Sequence, residues 1–200
     1  MSNKVLEGWV QEVAELAAPD KVHWCTGSEA ERRFLIKEMM ASGDLLKLNE
    51  STHPNCFLHR SDPNDVARVE QLTFICSKSK ADAGPNNNWM APEEAHSKID
   101  SLFRNSMKGR TMYVIPYLMG PVGSPYSRPG VEITDSPYVV LNMSIMSKIG
   151  DSALVKINSN GSFVKGLHSI GELDPSRRFI MHFPEEQSIK SYGEKYRVIN

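Results

Sequence analysis

Helix-type and strand-type patterns follow each other along this chain in an irregular order, and this irregularity limits its possible folds more than any other feature. Strand-type runs at residues 45–48 and 72–76 are separated by a polar, proline-marked stretch and not by a helical pattern. Successive parallel strands need a long crossover connection, usually a helix, between them. The pattern therefore predicts an α+β fold in which helices flank a mixed sheet.

Four segments carry signals for the start or the face of a helix. Apolar residues recur every three or four positions from Val5 to Leu16, which predicts an amphipathic helix that ends before Pro19. Ser28 and Glu31 have the spacing of a capping box, in which the serine hydroxyl accepts from the Glu31 amide and the glutamate reaches back to the cap amide. Further helix starts are predicted at Pro92, which two glutamates follow, and at residues 134–137 (TDSP).

Residues 119–130 contain three glycines and three prolines and no lysine. That composition predicts an irregular connection, since proline cannot donate to a ladder and glycine weakens regular structure. A phosphate loop of the Walker type needs a lysine that converges on the phosphate together with backbone amides. The segment is therefore not expected to bind a nucleotide.

The composition is that of a globular protein of 200 residues, with 40% hydrophobic and 24% charged residues. A chain of this length can bury a core without disulfides, and no linker divides it, so we expect one domain over residues 1–200. The 23 basic residues nearly balance the 24 acidic ones, which gives a formal net charge of -1. Binding to nucleic acid or to a membrane surface is not expected, because both favour an excess of Lys and Arg.

Several features favour a reduced, cytoplasmic location. No apolar run approaches the roughly 20 residues that span a bilayer, and three glutamates interrupt the first segment, unlike a secretory signal. The three cysteines, Cys25, Cys56 and Cys76, are odd in number and widely spaced, which does not suit a disulfide framework. Cys25 and Cys76 lie in apolar runs, where buried and unreactive thiols are expected.

Motifs for metal or nucleophilic chemistry are weak. None of the six histidines forms an H-x3-H pair or combines with cysteines at the spacing of a zinc site. His53 and Cys56 are three positions apart, but they lie in a polar segment that offers no second pair. No G-x-S-x-G elbow is present either. We therefore expect no metal ligands and assign no catalytic residue.

The segment at residues 62–70 (DPNDVARVE) is the best candidate for a site, because it is charged, marked by proline and followed by an apolar run. Arg68 in this segment could bind a small anion, since a guanidinium meets a carboxylate with two parallel hydrogen bonds. The alternative is a surface ion pair between Arg68 and Asp65 or Glu70. Exposed ion pairs are common and weak, so the residues by themselves favour that alternative.

Several long strings of residues follow one another in a recognisable order. They are residues 47–50 (KLNE), 54–58 (PNCFL), 61–70 (SDPNDVARVE), 73–77 (TFICS), 82–89 (DAGPNNNW), 107–116 (MKGRTMYVIP), 119–125 (MGPVGSP) and 134–140 (TDSPYVV). In this order they resemble GTP-dependent phosphoenolpyruvate carboxykinase. The resemblance extends from about Trp9 to Gly193, nearly the whole chain, and strings of this length are far more specific than a short motif.

The resemblance implies an activity and two site residues. Enzymes of this family convert oxaloacetate and GTP to phosphoenolpyruvate, GDP and carbon dioxide in gluconeogenesis, with Mn2+ and with Mg2+ on the nucleotide. The arginine of their V-A-R-V-E string grips the substrate carboxylate, which implies that Arg68 binds substrate and reverses the preference for an ion pair. Glu70 matches the family glutamate that contacts a mobile lid when the lid closes over the substrate. Lid closure excludes water from a reactive intermediate.

The chain also departs from the family pattern. After residues 191–193 (SYG) the family continues with a glycine-rich tyrosine segment and a Gly-Lys-Lys segment, whereas residues 194–200 read EKYRVIN. Gly166 stands where a cysteine is common. The chain resembles the N-terminal, substrate-binding third of the enzyme, truncated before the nucleotide-binding domain. GTP is expected to bind only through that missing domain, and we expect this chain alone to bind no cofactor and to be inactive.

Two hypotheses follow from the resemblance and the departures. In the first, the chain is the N-terminal portion of a carboxykinase, which is a decarboxylating lyase, and contributes the carboxylate-binding arginine. In the second, it is a non-catalytic binding or regulatory protein that kept the domain fold.

Overall fold

The computed structural model describes residues 3–63, 65 and 69–195, which form five α-helices and eleven β-strands. The bounds in chain order are α1 Lys4–Ala17, β1 Lys21–Trp24, α2 Glu29–Ala41, β2 Leu45–Lys47, β3 Phe57–His59, β4 Thr73–Ile75, β5 Asn88–Trp89, α3 Pro92–Phe103, β6 Thr111–Met119, β7 Arg128–Thr134, α4 Pro137–Met146, β8 Lys148–Ile149, α5 Asp151–Asn160, β9 Val164–Ser169, β10 Phe179–Phe183 and β11 Ser188–Tyr192.

One large mixed sheet organises these elements. Its strands lie in the order β1-β6-β7-β9-β11-β10-β4-β5, and β8 adds a short pairing to β6. Strands β7, β9 and β11 run parallel to one another, whereas β6 is antiparallel to β7 and β10 is antiparallel to β11. Strands β2 and β3 form a separate antiparallel pair. The predicted α+β fold with a mixed sheet is confirmed.

Helices cover both faces of the sheet. Neighbouring residues of a strand point to opposite faces, and in β6 Val114 belongs to one apolar cluster and Ile115 to the other. The first cluster receives the buried stripe of α1 and residues of α3, including Ile99. The second receives Leu35 of α2 and Val140 of α4. Among the described residues, no helix is long and apolar enough to cross a bilayer.

The helix starts agree with the sequence, with one change at α2. Ser28 caps this helix by accepting from the Glu31 amide at 3.2 Å, as the capping box predicts. The Glu31 carboxylate does not return to the Ser28 amide, however. It accepts from the backbone amides of Thr26 and Gly27, because the turn between β1 and α2 presents those two donors to it.

The prediction for residues 119–130 is partly wrong. Strand β7 already begins at Arg128, and Pro129 and Gly130 pair with Leu118 and Tyr117 of β6. Gly130 is needed there because a Cβ atom would lie 2.3 Å from Cζ of the Tyr117 ring, which covers it. Pro129 and Gly130 are therefore part of a strand because they pair with β6, although both residue types locally indicate a loop.

The cysteines are unpaired in the structure. Cys25 and Cys76 are buried, as their apolar surroundings predict, whereas Cys56 is exposed. Burial, and secondly the Glu31 carboxylate, raises the pKa of the Cys25 thiol well above its ordinary value.

We predict that Gly150→Ala destabilises the fold much more than Gly43→Ala. Both glycines have positive φ angles, of +89° and +82°, but only a Cβ on Gly150 would meet another atom, the Thr26 carbonyl oxygen, at 2.0 Å. The clash should lower the free energy of unfolding by about 1–3 kcal/mol beyond the cost of the Gly43 variant. Urea denaturation of the two variants measures this difference, and equal losses would contradict the close approach.

Candidate functional site

Polar side chains gather where the three parallel strands β7, β9 and β11 end. The carboxyl ends of parallel strands meet at one edge of a sheet, and in open α/β sheets ligands bind in the crevice at that edge. All of the side chains gathered here are buried, which is unusual for polar groups and demands partners. We call them the strand-end cluster: Thr134, Asp135, Ser136, His168, Ser169, Ser191 and Glu194.

Asp135 is the most heavily bonded member of the strand-end cluster. Its Oδ2 atom accepts from Nη1 of Arg110 at 2.7 Å and from the Ser169 hydroxyl at 3.0 Å, and its Oδ1 atom accepts from the Ile170 amide at 2.8 Å. Nη2 of Arg110 also donates to the Gly171 carbonyl at 3.1 Å. One ion pair thus connects the turn before β6, the end of β7 and the end of β9.

His168 connects β7 to the segment after β11. Its Nδ1 atom lies 2.7 Å from the Thr134 hydroxyl oxygen, and its Nε2 atom lies 2.7 Å from the Glu194 carbonyl oxygen. A carbonyl oxygen can only accept, so Nε2 carries a hydrogen, and in a neutral ring Nδ1 accepts from the Thr134 hydroxyl. The Thr134 oxygen in turn accepts from the Ser136 amide at 3.0 Å. The imidazole is therefore fixed in orientation by bonds at both nitrogens.

Asp65 attaches the candidate segment 62–70 to the strand-end cluster. Its Oδ2 atom accepts from the Lys195 amide at 3.0 Å and from the Ser61 hydroxyl. The Lys195 carbonyl accepts from the Ser136 hydroxyl at 3.0 Å. The other oxygen of Asp65, Oδ1, is buried, and no described residue donates to it. The segment is thus linked to the end of β7 through Lys195.

The ammonium group of Lys195 adds a second link, to Asp44 near the start of β2. Burial by itself would raise the pKa of Asp44, but hydrogen bonds from Lys195 and Ser42 and the charge of Lys195 outweigh it. The pKa is therefore lowered. Lys195 thus bonds to both Asp44 and Asp65 at the strand ends, although it lies 151 and 130 positions after them in the chain.

Of the two site residues that the sequence predicts, Arg68 and Glu70, the structure describes Glu70. Glu70 begins the short 3-10 helix Glu70–Leu72, and its side chain is exposed. Its carbonyl accepts from the side-chain amide of Asn88 at 2.7 Å. Arg68, the predicted substrate ligand, lies outside the described residues. The described residues nearest to it on either side are Asp65, which is bonded to Lys195, and Val69, which is buried.

Sequence reasoning missed the strand-end cluster itself. It identified residues 134–137 only as a helix start, which is correct, since Ser136 caps α4 and accepts from the Val139 amide at 3.4 Å. His168 was considered only for zinc spacing. The available signal was the position of polar residues directly after apolar, β-rich runs at both places.

Glu132 of β7 is a second unusual acid near the site. It is 1% exposed, and neither carboxylate oxygen has a hydrogen-bond partner among the described residues. Burial raises the pKa of this carboxyl well above its usual range. Glu132 lies two positions from both Gly130 and Thr134 in the strand. It is therefore on the same face of the sheet as Thr134 of the strand-end cluster.

Comparisons with known proteins match this chain over almost all of its length. Residues 8–197 match the family model described as phosphoenolpyruvate carboxykinase N-terminal domain. The chain is 52% identical over 195 residues to the phosphoenolpyruvate carboxykinase [GTP] of Anaeromyxobacter dehalogenans, a match that covers 98% of this chain and 33% of that protein. It is 48% identical to the Chlamydia trachomatis enzyme of the same name over 96% of this chain and 34% of that protein. The chain therefore spans about a third of the length of the curated relatives that it matches.

We predict that Glu132→Gln removes a pH dependence of stability. A carboxyl whose pKa is higher in the folded than in the unfolded chain contributes stability that is complete below the unfolded pKa of about 4.3. That contribution is lost as the pH rises toward the folded pKa. From pH 5 to pH 8 the unfolding free energy of Glu132→Gln should therefore increase relative to the parent, by up to about 1.4 kcal/mol per pH unit.

Urea denaturation at pH 5, 6.5 and 8 measures this difference. Glu93→Gln, on the exposed first turn of α3, is the matched control and should differ from the parent by a nearly constant amount. A Glu132→Gln difference that does not change with pH would contradict a buried, protonated Glu132.

Proposed function

The chain belongs to the phosphoenolpyruvate carboxykinase N-terminal domain family, and we propose on that basis that it is the substrate-carboxylate-binding part of a GTP-dependent phosphoenolpyruvate carboxykinase. The reaction is the conversion of oxaloacetate and GTP to phosphoenolpyruvate, GDP and carbon dioxide, which we place in gluconeogenesis. Residues 1–200 would then form one N-terminal domain. The alternative of a non-catalytic protein is not favoured, because the relatives that match almost the whole chain are carboxykinases.

The observation that carries the proposal is the attachment of segment 62–70 to the strand ends. Asp65 bonds to the Lys195 amide, and Lys195 bonds through its carbonyl to Ser136 at the end of β7. Asp65, three positions before Arg68 in the sequence, therefore lies beside the edge where the parallel strands end, which supports a ligand site there. A small dicarboxylate or a phosphoenolpyruvate molecule is the ligand that we propose for this edge.

Arg68 is proposed as the group that binds the substrate carboxylate. A guanidinium offers two parallel N–H donors at the spacing of the two carboxylate oxygens, and the ionised pair strengthens both bonds. An ion pair with Asp65 is the competing use of Arg68, and the Oδ1 atom of Asp65, to which no described residue donates, has the capacity for it. We favour the substrate role because the V-A-R-V-E string, residues 66–70, resembles the family's string and lies within the residues 8–197 that match the family model.

Glu70 is proposed as the contact for a lid that closes over the substrate. Its side chain is exposed at the start of the helix Glu70–Leu72, where another segment can reach it. The helix itself is fixed, since the Glu70 carbonyl accepts from Asn88 and the neighbouring Val69 is buried. A fixed backbone with an exposed carboxylate suits a group that meets a moving partner.

The nucleotide and the metal ions of the family do not fit the strand-end cluster. Mn2+ and Mg2+ bind preferentially to carboxylate oxygens. The Asp135 carboxylate is already paired with the Arg110 guanidinium, whose Nη1 atom lies 2.7 Å from Oδ2, and this positive charge would repel a divalent cation. We therefore propose that GTP, Mn2+ and Mg2+ bind in the part of the longer relatives that lies beyond this chain.

A cytoplasmic location is also proposed. The three cysteines are unpaired, and the Cys56 thiol is exposed, which suits a reducing compartment.

We predict that Arg68→Ala weakens binding of phosphoenolpyruvate or oxalate by roughly ten- to a hundredfold, because the loss of a charge-assisted bidentate contact costs about 1.5–3 kcal/mol. Arg68→Lys should also weaken binding, since an ammonium group cannot reproduce the fork. The measurement is a calorimetric titration of phosphoenolpyruvate or oxalate into the full-length protein. Arg60→Ala, an exposed arginine of the neighbouring turn, is the matched control. Equal affinities of parent and Arg68→Ala would rule out the assignment.

A further inference from the structure

Three side chains that bind transition metals lie together at the edge of the large sheet, on elements that the proposed function does not use. His23 belongs to the edge strand β1, Cys25 follows that strand, and Glu31 lies in the first turn of α2. One ligand atom of each residue, a ring nitrogen, the thiol sulfur and a carboxylate oxygen, lies within 4.8 Å of the other two.

The fold itself brings these three groups together. Residues at positions i and i+2 of an extended chain point to the same face, so His23 and Cys25 project together from β1. The Glu31 carboxylate is held by the backbone amides of Thr26 at 3.1 Å and of Gly27 at 2.8 Å. These bonds direct it toward His23, whose Nε2 atom lies 2.7 Å from Oε1 of Glu31.

The Glu31 carboxylate keeps the capacity to bind a metal ion. Two carboxylate oxygens offer about four lone-pair positions, and the backbone donors of Thr26 and Gly27 leave the position that now faces His23. An ion placed between Nε2 and Oε1 would replace the hydrogen of that contact, and the neutral imidazole would then carry its hydrogen on Nδ1. The two atoms would move apart from 2.7 Å to about 3.3 Å, as tetrahedral coordination with bonds of about 2.0–2.1 Å requires.

The surroundings allow this small movement. The His23 side chain is 34% exposed and lines a cleft of about 460 Å³ together with Tyr113 and Glu38. Cys25 is 3% exposed and supplies the inner side of the site. The arrangement has one fixed buried ligand and one ligand at the surface, so an ion can enter from the cleft.

We propose that His23, Cys25 and Glu31 bind a Zn2+ ion and leave a fourth position for water. Nitrogen, sulfur and oxygen donors together suit zinc, whereas Mg2+ and Mn2+ prefer oxygen donors alone. The site is thereby distinct from the ions expected for the GTP reaction. The charges also balance, since the thiolate and the carboxylate together carry two negative charges against two positive charges on the ion.

Binding requires one proton to leave the site. The Cys25 thiol becomes a thiolate when its sulfur binds zinc, and its proton passes to solvent. Burial and the Glu31 carboxylate raise the pKa of the free thiol, so Cys25 without the ion is protonated. The positive charge of zinc compensates for both of these effects.

The test is a titration of Zn2+ alone into the reduced 200-residue chain, in competition with a chelator of known affinity. We expect one ion per chain and an affinity at least tenfold lower in His23→Gln, whose side chain is partly exposed and whose loss should leave the fold intact. Co2+ should bind in place of zinc and give the intense absorption of a thiolate–cobalt bond, which Cys25→Ser removes.

His53→Gln and Cys56→Ser are the matched controls, because they change a histidine and a cysteine of the exposed turn before β3. Both should retain the affinity and the cobalt absorption of the parent. Absence of stoichiometric zinc binding, unchanged affinity in His23→Gln, or loss of binding in either control would overturn the proposal. If Cys25→Ser does not fold, the cobalt spectrum of the parent and the His23→Gln titration still decide.

Discussion

The Asp135 carboxylate is the constraint on which the rest of the candidate site depends. It is almost completely removed from water at the end of β7, and a buried carboxylate is tolerated only with charge compensation and hydrogen bonds. Arg110 supplies the charge, and Ser169 and the Ile170 amide supply the remaining bonds. These partners come from two separate parts of the chain, so satisfying one carboxylate ties the start of β6 and the end of β9 to the end of β7.

The positions of Ser136, Lys195 and Asp65 follow from that arrangement. With the ends of β7 and β9 fixed, Ser136 can both cap α4 and bond to the Lys195 carbonyl, and the Lys195 amide holds Asp65. The segment with the proposed substrate arginine, Arg68, is therefore attached to the sheet by short, directed bonds on one side. A ligand-binding segment that is attached to a rigid edge and has an exposed residue such as Glu70 after it combines precision with access to a lid.

Local structure could be predicted from the sequence, but long-range partners could not. The spacing of apolar residues in α1 and the proline at the start of α3 act through neighbours in the sequence, and both helices form as predicted. The pairing of Arg110 with Asp135 joins residues 25 positions apart, and no periodicity or motif encodes it. Strand β7 begins inside a segment rich in glycine and proline because its partner β6 supplies the pairing.

The cluster of His23, Cys25 and Glu31 could likewise not be predicted from a motif. Zinc motifs are sought as pairs on one turn or one helix, whereas here an i, i+2 pair on a strand meets a glutamate of the following helix. The capping-box spacing of Glu31 even predicted a different partner for its carboxylate. The turn between β1 and α2 decides this detail, and its geometry is set by the packing of Thr26 against Gly150.

The most direct measurement of the central claim is a double-mutant cycle on the ion pair at the strand ends. Arg110→Met leaves the buried Asp135 carboxylate without its counter-charge and should lower the free energy of unfolding by about 3–5 kcal/mol. Adding Asp135→Asn to that variant should cost less than Asp135→Asn costs in the parent, with a coupling of about 1–3 kcal/mol in urea denaturation. If the two losses simply add, Asp135 and Arg110 do not act as a pair, and the ends of β7 and β9 are held by other contacts.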